Sequence, residues 1–162
     1  MFVEVFKFSS RFSAQVSRDP LAGAALIILS DMHVRCWRIS WWSLFVVWVG
    51  CAILDVNHIH AGLVTSYGAD LALPAWLYIA TRSLDNPQRQ SWLKRIVGRT
   101  PELTASILFL ASAITEVSQY YWPRGVFPGV FDFFDILAYG IGILACYILD
   151  KRYGLMSAEV SE

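Results

Sequence analysis

Five carboxylates, Asp55, Asp70, Glu116, Asp132 and Asp135, fall with His58, His60 and Gln119 near the same ends of long apolar runs. Carboxylates brought together in such a setting can share a proton or serve as a general acid, because two like charges at close range disfavour ionisation of both. His58 and His60 form a His-x-His pair, and Asp55 and Asp70 could complete a site for zinc or another divalent ion. Either histidine could instead ligate a haem or chlorophyll-type pigment in a larger assembly, or only hydrogen-bond within an interfacial loop. No other ordered ligand set with diagnostic spacing occurs, so the loop reading is preferred to a metal. Arg124 is the one basic residue on this side and the natural counter-ion of Glu116, Asp132 and Asp135. A clasp of that kind sets helix register and does no chemistry, and spacing alone favours it over catalysis. A phosphate-binding glycine loop, a nucleophile elbow and a cysteine pair are all missing from the chain.

The elements that must carry these groups are membrane helices. The 162 residues are 56% hydrophobic and 15% aromatic, and only 16% are charged, against roughly 25% in a soluble domain. Four apolar runs, at residues 39–54, 66–81, 102–121 and 133–149, approach the ~20 residues that cross a bilayer core, and Trp37, Trp41, Trp42 and Trp122 extend them at the interface. Of the 13 Lys and Arg residues, Lys7, Arg11, Arg18, Arg35 and Arg38 precede the first run, Arg82, Arg89, Lys94, Arg95 and Arg99 lie between the second and third, and Lys151 and Arg152 follow the fourth. Only Arg124 is left over. Loops rich in Lys and Arg stay inside, so the expected fold is an all-α integral membrane protein: a four-helix transmembrane bundle with both termini in the cytoplasm. The zero net charge averages a basic inner face with an acidic outer one, and no basic aromatic surface points to nucleic acid.

Residues 1–162 read as a single membrane domain, with an N-terminal arm over 1–35 and the bundle over 36–152. Within the arm, residues 21–29 are too short to cross and follow a helix-start pattern, Ser17, Arg18, Asp19, Pro20. With the alternating segment Phe2, Val3, Val5, Phe6, Phe8, this stretch is expected to lie in the cytoplasm, on the membrane or on a partner. A cleaved signal peptide is not expected, because the small residues Ala22, Gly23 and Ala24 precede most of the apolar run and do not follow it. Cys36, Cys51 and Cys146 read as small buried apolar residues, and His33, beside Arg35, as solvated. The central loop reads as a turn at Asp85, Asn86 and Pro87, then a short basic interfacial helix over residues 92–99.

At 100° per residue, Asp132, Asp135, Tyr139, Gly142 and Cys146 share one stripe of the fourth helix, and Ala105, Leu108, Ser112, Glu116 and Gln119 share one on the third. Small residues low on each stripe would let these two backbones approach, with the carboxylates meeting above them.

The ordered set Glu116, Gln119, Pro123-Arg124, Asp132, Asp135-Ile136-Leu137-Ala138-Tyr139 and Gly142 resembles the C-terminal signature of the VanZ-like membrane protein family. The resemblance covers the last two helices closely and the four-helix layout more loosely. It implies a multi-pass protein of the bacterial inner membrane, in a family whose founding member is linked to teicoplanin resistance and which has no established reaction at large. The chain departs from the pattern in the second helix, where the family's Asp-Lys and following His are replaced by Asp70-Leu71 and Pro74, and in the last, where Tyr139 stands for a frequent Asn. Pro74 can neither titrate nor donate a backbone N–H, so an enzyme is not expected.

Two readings of function remain. In the first, a polar cluster of Asp70, Glu116, Gln119, Arg124, Asp132, Asp135 and Tyr139 faces outward and binds an envelope lipid or glycan headgroup, or locks the bundle. In the second, the chain is an accessory subunit of a larger membrane complex, bioenergetic or photosynthetic, engaging other subunits through its N-terminal arm. A transporter ranks third, since the chain lacks paired repeats and Pro74 interrupts only one helix.

Overall fold

The computed structural model of the chain describes residues 20–57, 59, 62–86, 88–89, 91–124 and 131–161. Among them every regular element is helical: α1 Pro20–Val56, α2 Leu63–Arg82, α3 Trp92–Ile96, α4 Pro101–Tyr121 and α5 Phe133–Ser161. Two helices carry a stretch long and apolar enough to cross a membrane by length and composition, Asp31–Leu54 in α1 and Phe133–Tyr153 in α5.

Local chemistry sets the boundaries. Pro20 opens α1 at a position where its missing N–H costs nothing. Thr100 caps α4, its hydroxyl accepting from the Leu103 N–H at 3.2 Å, and Pro101 follows at the first helical position. Ser91 caps α3 in the same way through Leu93, in line with a short helix after the central turn. At the end of α2, Ser83 turns the chain with a left-handed φ of 56°. Asp132 caps α5, its Oδ1 accepting from the Phe134 N–H at 2.8 Å.

Three expectations about the elements change. Residues 20–35 are not a separate arm: they are the first turns of α1, whose 37 residues span ~55 Å at 1.5 Å per residue. No glycine or proline lies between Gly23 and Gly50 to break that helix. Residues 1–19 lie outside the described part. Pro74 does not interrupt α2, which continues through it, because a proline removes a single helical hydrogen bond and its buried ring is supported by neighbouring helices. His33 is half-buried, accepting a hydrogen bond from Trp37 Nε1 and stacking 4.7 Å from Tyr153; Cys36 is exposed, whereas Cys51 and Cys146 are buried.

Helix α2 is the centre of the assembly, packing on α1, α4 and α5, and α4 also packs on α5. Against α1 the contact is aromatic, with the Trp76 ring 5.3 Å from Trp41 and 5.7 Å from Phe45. Against α5 it is backbone to backbone. A Cβ added to Gly142 would lie 2.4 Å from the Leu71 carbonyl oxygen and 3.5 Å from the Ala75 Cβ. One turn on, Cys146 Sγ lies 3.7 Å from the Ala75 carbonyl. The stripe on α5 therefore packs its small residues, Gly142 and Cys146, against α2 and not against α4 as spacing suggested, while Tyr139 at its acidic end also reaches Glu116 on α4. Between its polar contacts with α5, α4 sets the Phe109 ring against Gly140. Pairings rise together along α2 and α5, so these helices run parallel. Glu102 with Lys151 and Glu116 with Tyr139 show α4 antiparallel to both.

Gly142→Ala is expected to lower the unfolding temperature in detergent, at about 1 to 3 kcal/mol for overpacking against an immovable backbone carbonyl. Gly140→Ala, whose new Cβ would meet only a Phe109 ring edge at 3.4 Å, should cost clearly less. Equal effects would contradict the close α2–α5 approach.

Candidate functional site

Three helices bring the outer acids together. Asp70 comes from the second turn of α2, Glu116 and Gln119 from the last turns of α4, and Asp132, Asp135 and Tyr139 from the start of α5. One turn along α2 from Asp70, Pro74 has no N–H to return to the Asp70 carbonyl.

Tyr139 is the hub. Its hydroxyl donates to Glu116 Oε1 at 2.7 Å and lies 3.2 Å from Asp70 Oδ1, so one proton serves two carboxyl groups on two helices. Gln119 Nε2 lies 3.5 Å from the same Glu116 oxygen. Asp132 is spoken for twice: Oδ1 caps α5, and Oδ2 accepts from the Tyr67 hydroxyl at 3.3 Å. Asp135 lies within electrostatic reach of Asp70, Glu116 and Asp132. Glu116 is only 2% exposed, and its second oxygen, Oε2, has no hydrogen-bond partner among the described residues. A buried carboxyl oxygen without a donor is costly, on the order of 1 to 3 kcal/mol for a neutral group and more for a charged one.

Arg124 does not join this cluster. It is exposed beyond the end of α4, and the ion pairs among the described residues do not include it. The turn that follows Tyr121 carries Arg124 past the buried rows of α4, so its charge stays outside. The fold thus brings Asp70, Glu116 and Tyr139 within hydrogen-bond reach and leaves Arg124 exposed outside them. His58 and His60 lie outside the described residues, as does the side chain of Asp55, so the metal and pigment alternatives at these positions are not addressed by the fold. Among the described residues no three His, Cys, Asp or Glu side chains are arranged to hold a metal ion.

The clasp exists at the opposite end. Arg82 Nε donates to Asp150 Oδ2 at 2.7 Å, Arg82 Nη1 to the Gly98 carbonyl at 2.8 Å, and the Tyr78 hydroxyl to Asp150 Oδ2 at 2.9 Å. Tyr78 is fully buried and Asp150 is 5% exposed. Gly98 must be glycine here, since a Cβ would sit 2.3 Å from the Thr81 carbonyl oxygen. Sequence reasoning treated Arg82 only as a topology marker and passed over Asp150. The signal was present: continuing the α5 stripe from Cys146 by four residues reaches Asp150. Tyr67, three residues before Asp70 on a stretch read only as apolar, was missed as well.

Chemically, the cluster is, among the described residues, a set of acceptors short of donors and of positive charge. Comparison with family models, with curated proteins and with solved structures finds no match to this chain.

Removing Arg82 strands a buried carboxylate, so Arg82→Ala should destabilise the purified protein by about 3 to 5 kcal/mol. Arg124→Ala should stay within about 0.5 kcal/mol of the parent, as exposed substitutions do. Parallel thermal unfolding in detergent tests both, and a large loss for Arg124→Ala would return the counter-ion role to that residue.

Proposed function

We propose that the chain is a four-crossing membrane protein whose acidic cluster opens at the outer surface and binds the hydrogen-bond-donating headgroup of an envelope lipid or glycan, without a reaction of its own. The observation that supports this reading is Glu116 Oε2, a buried acceptor with no donor among the described residues, in a group of carboxylates that no described ion pair includes. A structural lock would close its hydrogen bonds, as the Arg82–Asp150 clasp does; this cluster leaves one open for a ligand. Pro74, at the place where a titrating group would be needed, supports binding without catalysis.

The membrane reading is supported by surfaces that water would not tolerate. Val46, Leu110, Ile114 and Ile141 are 58 to 66% exposed on three different helices. The orientation is supported by charge. The starts of α1 and α4 and the ends of α2 and the apolar part of α5 meet through His33–Tyr153, Arg82–Asp150 and Lys151–Glu102, and this pole holds Arg35, Arg38, Arg82, Arg99 and Lys151. The bacterial inner membrane and the VanZ-like family belong to this proposal, and the meeting of Glu116, Asp132, Asp135 and Tyr139 is what supports them.

A second reading, an accessory subunit, is favoured by α1. At ~55 Å it exceeds the ~30 Å of a bilayer core, and it packs chiefly on α2, leaving Ile39, Trp42, Val46 and Ile53 uncovered. Mild extraction from native membranes separates the readings: a lone bundle favours the headgroup site, a large particle the subunit.

Two outcomes are expected. In a Cys36→Ser background, a membrane-impermeant thiol reagent added from outside should label Asn57→Cys and Arg124→Cys and miss Gln88→Cys and Arg99→Cys; labelling of Gln88→Cys would overturn the orientation. Purified protein should also carry a co-extracted lipid or glycan that Glu116→Gln retains less well, and identical bound material in both proteins would count against the site.

A further inference from the structure

We infer that the group accepted by this cluster is a primary ammonium; the inference rests on the headgroup reading above and names its ligand class. Asp70 and Tyr67 face the cluster from α2, Glu116 from α4, and Asp132, Asp135 and Tyr139 from α5. The other buried acids of the described fold have a base: Asp150, 5% exposed, pairs with Arg82 at 2.7 Å, and Asp85, 6% exposed, with Arg89 at 3.6 Å. Glu116, the most buried of them at 2%, has no Lys, Arg or His within 4 Å among the described residues. The missing partner must therefore bring positive charge and N–H donors together. A bare proton brings one donor to one oxygen; an ammonium brings three to several.

The free oxygens select a compact cation over a guanidinium. A guanidinium fork binds best to both oxygens of one carboxylate. On Glu116, Oε1 is already taken by Tyr139, and on Asp132 both oxygens are taken, by the Phe134 N–H and the Tyr67 hydroxyl. What remains is Asp70 Oδ2 on α2, the buried Glu116 Oε2 on α4 and the Asp135 carboxylate on α5; a fork seated on Asp135 alone would leave Glu116 Oε2 unmet, whereas a point-like ammonium with rotatable donors can reach oxygens on all three helices. Asp70 and Asp135 are half-exposed and receive the cation first. Glu116 Oε2 lies beneath them, and the broad terminal torsion of a glutamate lets the carboxyl turn toward the newcomer without leaving its rotamer. A quaternary ammonium carries the same charge but has no N–H to give, so it cannot fill Oε2.

That difference supplies the test. The full chain is reconstituted in nanodiscs containing phosphatidylethanolamine, phosphatidylcholine and phosphatidylglycerol with matched acyl chains, and retained lipid is counted by native mass spectrometry after gentle release. The ethanolamine lipid should be retained about tenfold over the choline lipid, the value of roughly one charge-assisted hydrogen bond. Glu116→Gln should erase that preference, and Asp135→Asn, at a half-exposed position, should weaken it even if the first variant folds poorly. Glucosamine that displaces the ethanolamine lipid supports the ammonium site with a glycan source; failure to displace it, with the preference intact, supports the site with a lipid source. Equal retention of choline and ethanolamine lipids, or a preference that survives both substitutions, overturns the ammonium inference while leaving headgroup binding in place. Retention of none of the three lipids and no effect of glucosamine removes both.

Discussion

The seam between α2 and α5 is the constraint on which the other contacts depend. It runs from Asp70 beside Tyr139, through the Leu71 carbonyl against Gly142 and the Ala75 carbonyl against Cys146, to Tyr78 and Arg82 on Asp150. The seam joins the two helices by close backbone packing and by hydrogen bonds between polar side chains that would otherwise go unmade. The glycine brings the backbones together, and the polar pairs at the two ends fix their register. Helix α4 then lies along the parallel pair and α1 along α2, so both outer helices take their places from this seam.

The two ends of the seam solve the cost of buried charge in opposite ways. At the basic end one arginine, one aspartate, one tyrosine and one carbonyl satisfy each other within 2.7 to 2.9 Å. At the acidic end a single tyrosine proton is divided between two carboxyl groups and a third acceptor, Glu116 Oε2, is left over. A bundle that needed only cohesion would have closed both. Polar groups held incomplete inside a membrane segment persist chiefly where they serve something besides packing.

Much of this was legible in the residues. Hydropathy and the one-sided distribution of Lys and Arg anticipated all-helical architecture and the gathering of acids at one pole, because both signals are additive along the chain and need no knowledge of partners. Stripe geometry likewise grouped Asp135, Tyr139 and Gly142 correctly. Which helix that stripe would face was not legible: periodicity gives the direction of a face on its own helix and says nothing of its neighbour, and α2 carries its small residues, Ala72 and Ala75, without any polar flag between Asp70 and Tyr78. Arg124 was assigned to the acids because it is the one basic residue at their end of the chain's pattern, whereas the chain leaves α4 before the arginine and leaves it exposed. Asp150 was passed over because an acid among Lys151 and Arg152 looks like part of a solvated edge until its partner on α2 is seen.

The same seam imposes an order on biogenesis. The residues of α2 that need partners wait for α5, since Arg82 and Asp150 are 68 residues apart, Asp70 and Tyr139 are 69, and Tyr78 and Asp150 are 72. At ~5 to 20 residues per second, a ribosome takes on the order of several seconds to cover that interval. During it, Asp70, Tyr78 and Arg82 have no partner on α5, and neither the acidic cluster nor the Arg82–Asp150 clasp can form until the last helix has been made. A chain cut short before Phe133 would therefore keep these polar side chains of α2 without the partners that α5 supplies.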